Sequence, residues 1–381
     1  MSKYYLVNGT VYIGHCFIPK TVEIAEGRIC LHEAGYQGTD GICLDSSGLK
    51  VVPGFIDIHT HGAVGVDVNG AGAEGLEKIS RFFAGNGTTS WLASVMTDTQ
   101  EQTEWCIGQM HLHEQLEQGG AELLGIHLEG PFLSSEYKGC MPEYLLREND
   151  LPLAEHYQEL AKGKIRYITL SPELSGTIGM IPRLRELGIV AGIGHSGATY
   201  QKTMEAVSAG ATVGTHVGNA MRLLHQHEPG VLGAILESDT YAEVICDGRH
   251  LHPGTVRILL KAKGLDRIIA ITDSIMAAGL PDGHYHLGVN EVVVEYGDAK
   301  LASNGTRAGS TLTQDAALRN LLEYTGLSLE QILPLLTENP ALALGLENRK
   351  GFIADGKDAD LVLLDGQNEV VHVFARGRQV K

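Results

Sequence analysis

The sequence predicts an α/β fold, a (β/α)8 TIM barrel with a small β-sandwich domain formed from both termini. Three observations predict it. The middle of the chain alternates apolar, strand-like runs with helix-like segments, which is typical of parallel βα units. Both ends instead carry short β-type runs separated by Gly and Asn-Gly turns. Most of the predicted barrel strands end in a residue that can bind a metal or transfer a proton. The carboxyl ends of barrel strands meet at one common rim.

The two ends of the chain are expected to form one small β domain. Its first part spans residues 1–52 and its second part spans residues 350–381, with the barrel at 53–349. The terminal strand-like runs are Tyr4–Val7, Thr21–Ala25, Arg28–Leu31, Asp360–Leu364 and Val370–Ala375.

Eight runs are predicted as barrel strands: Val51–His59, Thr88–Ser94, Leu123–Glu129, Ile165–Leu170, Ile189–His195, Thr212–His216, Ala242–Asp247 and Ile268–Asp273. The helix-like segments between them include Ala73–Gly85, Thr99–Gln118, Ile178–Leu187, Tyr200–Ala209 and Thr255–Lys263. An open, doubly wound sheet is the alternative. Such a sheet would spread the strand-end residues along an edge, whereas a barrel gathers them.

Composition excludes some classes of partner. The formal net charge is −17 over 381 residues, which argues against binding to nucleic acid or to an anionic membrane. An anionic small substrate is still possible, because a local pocket can be positive. No apolar stretch reaches the roughly 18 residues of a membrane span, and the six cysteines lack CxxC spacing. No signal peptide is recognised at the amino terminus, so a cytoplasmic protein with free thiols is expected.

Two histidines close the first predicted barrel strand. His59 and His61 are two residues apart, so in a strand their side chains point to the same side. Imidazole is a common ligand of zinc and iron. A lone HxH is equally typical of surface or core histidines, but at the end of barrel strand one it predicts a metal site.

Three further residues complete a candidate ligand set. Glu129, His195 and His216 each follow a short apolar run. A buried strand rarely ends in an unpaired carboxylate, because desolvating the charge is costly and a cation offsets that cost. A salt bridge for Glu129 and satisfied buried histidines are the alternatives. Together the three residues match a catalytic metal site with room for water, while His127 is expected to be structural.

Asp273 closes the eighth predicted strand. A carboxylate beside a metal-activated water can accept its proton and later pass it to a leaving group. Asp273 is therefore the predicted general base, and a helix N-cap is the structural alternative.

These motifs resemble those of the amidohydrolase superfamily, and more narrowly those of N-acetylglucosamine-6-phosphate deacetylases. The resemblance spans nearly the whole chain. The shared motifs are PGFIDIHTHG at 53–62, HLEGPF at 127–132, GHS at 194–196, HVGNAM at 216–221, EPG at 228–230, DGRH at 247–250, TDS at 272–274, AAGLPDG at 277–283, NGTRAGSTLT at 304–313 and the tail at 338–365.

The resemblance implies a role for each matching residue. Glu129, His195 and His216 would hold the primary metal, and His59 and His61 would hold a second ion. Asp273 would be the general base and acid. His250 and the backbone of Asn219 and Ala220 would contact the sugar. A homodimer, in which one subunit completes the phosphate site of the other, is also implied.

Two positions depart from the family pattern. Met141 stands where a His or Gln often polarises the acetyl carbonyl, and a thioether donates no hydrogen bond. His227 stands where an Arg usually grips the 6-phosphate, and imidazole lacks the bidentate fork of Arg. Both stay candidate substrate-binding residues, and Arg222 or Arg249 are candidates to compensate for the missing Arg.

The resemblance therefore implies hydrolysis of N-acetylglucosamine-6-phosphate to glucosamine-6-phosphate and acetate. Zinc is the first expectation for the metal, with iron, manganese or cobalt as alternatives and one or two ions per subunit. The second hypothesis is deacetylation of another N-acetylhexosamine, either N-acetylgalactosamine-6-phosphate or a non-phosphorylated sugar. A third is a non-catalytic sugar-binding protein. No nucleic-acid or membrane partner is expected.

Overall fold

The computed structural model describes residues 2–381, which form 22 β-strands and ten α-helices. The first strands are β1 (Tyr4–Val7), β2 (Thr10–Ile13), β3 (Cys16–Ala25), β4 (Arg28–Glu33), β5 (Ile42–Asp45) and β6 (Lys50–Pro53). The next are β7 (Phe55–Thr60), β8 (Gly62–Ala63), β9 (Val66–Asp67), β10 (Thr88–Met96), β11 (Glu122–Glu129), β12 (Ile165–Leu170), β13 (Val190–Ile193), β14 (Val213–Gly214), β15 (Tyr241–Ile245) and β16 (Ile268–Ile271). The last are β17 (Gly283–Leu287), β18 (Asn290–Glu295), β19 (Asp298–Leu301), β20 (Leu361–Leu364), β21 (Val370–Ala375) and β22 (Arg378–Gln379). The helices are α1 (Ala73–Gly85), α2 (Gln100–His113), α3 (Leu151–Leu160), α4 (Thr177–Glu186), α5 (Tyr200–Ala209), α6 (Gly230–Glu237), α7 (Pro253–Lys263), α8 (Gln314–Thr325), α9 (Leu329–Leu336) and α10 (Glu338–Ala343).

Eight parallel strands form the central sheet in the order β7, β10, β11, β12, β13, β14, β15 and β16. Its first and last strands meet just beyond their carboxyl ends. The Asp273 backbone N–H donates to the His59 carbonyl at 2.9 Å, and the His61 N–H donates to the Ser274 carbonyl at 2.7 Å. These bonds close the sheet into the predicted barrel. An open, doubly wound sheet is thereby excluded.

The terminal strands form a second sheet, which confirms the small β domain built from both ends. Its order is β22, β21, β20, β6, β2, β3, β1 and β5, with β4 on the other side of β3. The long strand β3 pairs through Cys16–Pro19 with β2 and through Lys20–Ala25 with β4, so it joins two halves of the sheet. A separate apolar cluster fills the space between them. The domain borders at 52/53 and 349/350 stay a prediction.

The predicted strand Val51–His59 is divided in the structure. β6 joins the terminal sheet and β7 joins the barrel, with Gly54 between them. A Cβ atom at Gly54 would lie 2.1 Å from Thr89 Oγ1, so this crossing needs glycine. The predicted helix Thr99–Gln118 is also shorter, because α2 ends at His113.

The structure also shows a separate small sheet, the state of the cysteines and the character of the helices. Hairpin strands β17, β18 and β19 form a separate three-stranded sheet that the sequence did not predict. The six cysteines are free thiols. Within residues 2–381, no helix is long and apolar enough to cross a membrane.

A buried lysine ties the barrel to the terminal sheet. Lys350 is only 2% exposed. Its Nζ lies 2.5 Å from Glu122 at the start of β11, 2.5 Å from Asp360 just before β20, and 3.1 Å from Asp358. Burial would lower the pKa of Lys350, but the three carboxylates raise it to about 12. The ammonium is thus the counter-charge of three acids drawn from both parts of the molecule.

We expect Lys350→Met to lower the free energy of unfolding by about 3–5 kcal/mol, because it leaves the buried Asp360 carboxylate without a cation. Glu122 and Asp358 would keep Arg349 as a partner. Urea unfolding followed by circular dichroism measures the change. Lys202→Met is the matched control, since Lys202 pairs with Glu205 on the surface and exposed pairs contribute about 0–1 kcal/mol. Equal effects of the two substitutions would contradict the anchoring role of Lys350.

Candidate active site

Four histidines and two carboxylates meet at the carboxyl rim of the barrel. His59 lies in β7 and His61 follows it, and Glu129 is the last residue of β11. His195, His216 and Asp273 follow β13, β14 and β16 within two residues. All six are buried, and Asp273 is the most exposed of them at 8%.

The Glu129 carboxylate lies at the centre of this cluster. Its Oε1 is 3.0 Å from His216 Nε2 and 3.2 Å from His195 Nε2. On the other side, Glu129 Oε2 is 3.3 Å from His61 Nε2, and Oε1 is 3.4 Å from His59 Nε2. Two ligand triads, one with His59 and His61 and one with His195 and His216, therefore share one carboxylate.

Asp273 borders one of these triads. Its Oδ1 lies 3.1 Å from His61 Nε2 and 3.6 Å from His59 Nε2. Burial opposes ionisation of Asp273, but the hydrogen bond from His61 and the charges of the neighbouring histidines lower its pKa below the usual value. Burial likewise opposes ionisation of Glu129, yet the surrounding imidazoles hold its pKa well below the usual range. Both groups are therefore carboxylates at neutral pH.

Three of the rim residues adopt a left-handed backbone. The φ angles are +47° for His195, +30° for His216 and +50° for Asp273. Non-glycine residues in this region are uncommon and cost about 1–3 kcal/mol each. The left-handed backbone also explains why β13, β14 and β16 end before these residues. The sequence predicts that all three residues lie inside the strands.

Outer partners fix the orientation of the imidazoles. His61 Nδ1 faces the Ser94 carbonyl at 3.1 Å, and His195 Nδ1 faces the Tyr137 carbonyl at 3.0 Å. Each carbonyl accepts a hydrogen bond from the Nδ1–H of the ring. Once Nε2 of such a ring has lost its proton, its lone pair is free to bind a metal. His195 Nε2 nevertheless lies 3.1 Å from His216 Nε2. Ring nitrogens that face each other around a buried carboxylate are a donor set that fits a divalent cation.

Two residues of this outer layer were missed by the sequence reasoning. Glu243 in β15 is fully buried, accepts from the His216 backbone N–H at 3.0 Å and lies 3.1 Å from His59 Nδ1. Its signal in the sequence is a single carboxylate inside an apolar strand. Ser94 carries no comparable signal, because it acts through its backbone carbonyl. His127 is structural as expected, since its ring bonds Ser94 Oγ and Thr169 Oγ1, each at 2.9 Å.

A cavity of about 280 Å³ opens onto the cluster. Three of the predicted sugar-binding residues line it, namely Asn219, Ala220 and His250. His250 Nδ1 lies 2.7 Å from Asp247 Oδ2, so the end of the seventh barrel strand positions this ring. The cavity thus brings together four of the five candidate metal ligands, Asp273 and the sugar-binding candidates.

The structure does not bring the other two predicted substrate residues into this cavity. Met141 is 1% exposed and packs in an apolar cluster, and it is Gly139 and Cys140 of its loop that line the cavity. His227 is exposed on the loop before α6. Arg222 and Arg249 do not line the cavity either, and the guanidinium that does is Arg307.

Comparison with known proteins assigns the family. The model of the amidohydrolase family matches residues 50–380, a range that contains the whole cluster. The chain belongs to the amidohydrolase family. Family membership and the donor set together identify this amidohydrolase as a metal-dependent hydrolase, as the sequence predicts.

Several proteins similar to this amidohydrolase are named as deacetylases of amino-sugar phosphates. An N-acetylglucosamine-6-phosphate deacetylase of Lysinibacillus sphaericus is 40% identical over 86% of this chain and 84% of its own. An N-acetylgalactosamine-6-phosphate deacetylase of Escherichia coli O157:H7 is 35% identical over 86% of each chain. A solved mutant of the N-acetyl-D-glucosamine-6-phosphate deacetylase of Mycobacterium smegmatis, in complex with N-acetyl-D-glucosamine-6-phosphate, superposes with a TM-score of 0.93, at 33% identity over all of both chains.

We expect Glu243→Gln to weaken metal binding by about 10- to 100-fold, because an amide supports the His59 imidazole less well than a carboxylate does. Zinc titration of the apoprotein by calorimetry measures the affinity. Glu205→Gln, at an exposed site on α5, is the control. Unchanged affinity in Glu243→Gln would contradict the role assigned to this carboxylate.

Proposed function

We propose that this amidohydrolase removes the acetyl group of N-acetylglucosamine-6-phosphate and releases glucosamine-6-phosphate and acetate. The observation that carries the proposal is the single cavity lined by Asp273, by three sugar-binding candidates and by four of the five residues of the two candidate ligand triads. The names of the relatives support the substrate class.

The proposed metal is zinc, because neutral imidazole and carboxylate donors suit it, and iron, manganese or cobalt are the alternatives. Glu129, His195 and His216 would hold the primary ion. His59 and His61 would hold a second ion together with the shared Glu129, so one or two ions per subunit are proposed. When bound, a divalent ion polarises the acetyl carbonyl and lowers the pKa of water.

Asp273 is the proposed general base and acid. Its carboxylate takes a proton from the attacking water while the water oxygen bonds to the acetyl carbon. The same carboxyl group then gives the proton to the amide nitrogen as the C–N bond breaks. The amino sugar leaves as the amine and the acetyl group leaves as acetate. The lowered pKa of Asp273 keeps it ionised, which the first step requires.

The sugar would bind across the cavity from the ligands. His250, held by Asp247, is proposed to contact sugar hydroxyls, and the backbone of Asn219 and Ala220 to orient the ring. Ala220 has a φ of +46°, an uncommon conformation that fixes the direction of its peptide groups.

N-acetylgalactosamine-6-phosphate is the second candidate substrate, because the E. coli relative named for that sugar is nearly as similar as the relatives named for the glucose epimer. The two sugars differ in the direction of one hydroxyl. A site that bonds a hydroxyl discriminates more strongly than one that merely encloses it. A non-phosphorylated sugar stays a further alternative.

A homodimer and a cytoplasmic location are also proposed. The loop that carries His227 also exposes Leu223 and Leu224, each at 57%. Adjacent apolar side chains of this kind favour a protein contact. A partner subunit seated on that loop would meet His227, which this chain keeps outside its own cavity.

We expect Asp273→Asn to lower kcat by about 10²- to 10⁴-fold while metal stays bound, because an amide cannot accept the proton of water. Acetate release and metal content, measured on the same preparation, test this. Asp239→Asn, at the exposed turn after α6, is the control. Near-normal turnover in metal-loaded Asp273→Asn would contradict the proposed role.

A substrate panel tests the proposed reaction itself. Enzyme reconstituted with zinc, iron, manganese or cobalt is assayed on N-acetylglucosamine and N-acetylgalactosamine, each with and without the 6-phosphate. We expect the highest kcat/KM for N-acetylglucosamine-6-phosphate and loss of activity after chelation. A higher kcat/KM for the galacto sugar would favour the second candidate. Absence of turnover with every sugar and metal would leave the sugar-binding hypothesis.

A further inference from the structure

One permanent cation lines the active-site cavity. Among the lining residues that the structure describes, Arg307 carries the only guanidinium or ammonium group, and the others with ionisable side chains are histidines, two carboxylates and one thiol. Arg307 lies at the edge of the hairpin β17–β19, which the sequence did not predict. An anionic substituent on a substrate in this cavity therefore has one permanent positive charge to meet.

The hairpin presents this guanidinium in a fixed orientation. Arg307 Nε lies 2.9 Å from Asp298 Oδ1 and Nη2 lies 3.1 Å from Asp298 Oδ2, so one edge of the fork is bound bidentately. Nη1 makes no hydrogen bond with any residue in 2–381. The side chain is 33% exposed. One edge of the guanidinium is thus held while the other is available to a ligand.

The charge of Arg307 is not cancelled by its partner. Lys300 Nζ also contacts Asp298, at 2.9 Å from Oδ2, so two cations share one carboxylate. The hydrogen bonds from Arg307 and Lys300, together with their charges, lower the pKa of Asp298 to about 2. The group of three is therefore net positive at neutral pH, and it lies on a chain whose formal net charge is −17.

Backbone hydrogen bonds connect Arg307 to the catalytic rim. The Ser310 N–H donates to the Asp273 carbonyl at 2.8 Å, and the Ala308 N–H donates to the Ala299 carbonyl at 3.1 Å. Ser310 lies three positions after Arg307, a span of at most roughly 10 Å of backbone. The segment therefore places the Arg307 backbone close to that of the proposed base.

We infer that Arg307 binds the 6-phosphate of the substrate within the same subunit and is a determinant of specificity for phosphorylated sugars. The inference rests on the proposed function. Position 227, where an arginine usually contacts the 6-phosphate, is a histidine in this chain. Arg307 would supply the phosphate contact in its place. A guanidinium edge offers two parallel donors to phosphate oxygens, whereas the His227 imidazole offers one donor and only partial charge.

The experiment compares kcat/KM for N-acetylglucosamine-6-phosphate with kcat/KM for N-acetylglucosamine in the metal-loaded enzyme. We expect Arg307→Met to reduce this preference by about 10- to 100-fold. Arg307→Lys, which keeps the charge without the fork, should reduce it by less. Inorganic phosphate should inhibit the wild type competitively, and Arg307→Met should raise its inhibition constant. Lys300→Met is the comparison variant. Lys300 pairs with the same Asp298 but does not line the cavity, so we expect it to reduce the preference by less than Arg307→Met does.

Several results would overturn the inference. One is an unchanged preference for the phosphorylated sugar in Arg307→Met, and another is an equal loss of this preference in Lys300→Met. A larger loss of preference in His227→Ala would assign phosphate binding to a partner subunit. If Arg307→Met does not fold, the phosphate preference of Arg307→Lys and the inhibition of the wild type by phosphate still test the inference. Deacetylation without any phosphate preference in the wild type would overturn this inference and leave the proposed reaction intact. No deacetylation of any sugar would overturn both.

Discussion

The buried Glu129 carboxylate is the interaction around which the molecule is organised. Four imidazoles from three other strand ends surround it, and each distance lies between 3.0 and 3.4 Å. Burying a carboxylate and four rings in an apolar barrel carries a desolvation cost that only dense mutual pairing or a cation offsets. The cluster therefore requires all four strands to end at one level. A closed parallel barrel meets this requirement because its strand ends converge.

Closure of the barrel and assembly of the site depend on the same hydrogen bonds. The Asp273 N–H donates to His59 and the His61 N–H donates to Ser274, so the seam between the first and last strands is made by site residues themselves. This seam keeps the Asp273 carboxylate 3.1 Å from the His61 ring. It also helps to hold the left-handed backbone of Asp273, which an isolated strand end would relax. A change that loosens the seam would therefore disturb fold and chemistry together.

Much of the fold and of the ligand set is predictable from the sequence, because both follow from local rules. His59 and His61 share a side through the two-residue period of a strand, and Glu129, His195, His216 and Asp273 follow apolar runs that alternate with helices. Other features depend on contacts distant in sequence. Glu243 supports His59 from a strand 184 positions later. Whether Met141 faces substrate or core is decided by packing around its loop, and the structure places it in the core.

The hairpin β17–β19 could not be predicted from local sequence patterns, and it brings a positive charge to the cavity. Its strands are only four to six residues long. Hydrogen bonds to residues that follow the eighth strand, such as that from Ser310 to Asp273, help to set its position. That docking brings Arg307 to the cavity that Glu129 and Asp273 also line. An acidic protein repels an anionic substrate at long range, and salt screens that repulsion beyond about 10 Å. Within the cavity the nearest charges dominate. One guanidinium, together with acids balanced by imidazoles, favours a substrate that carries both a phosphate and a neutral amide.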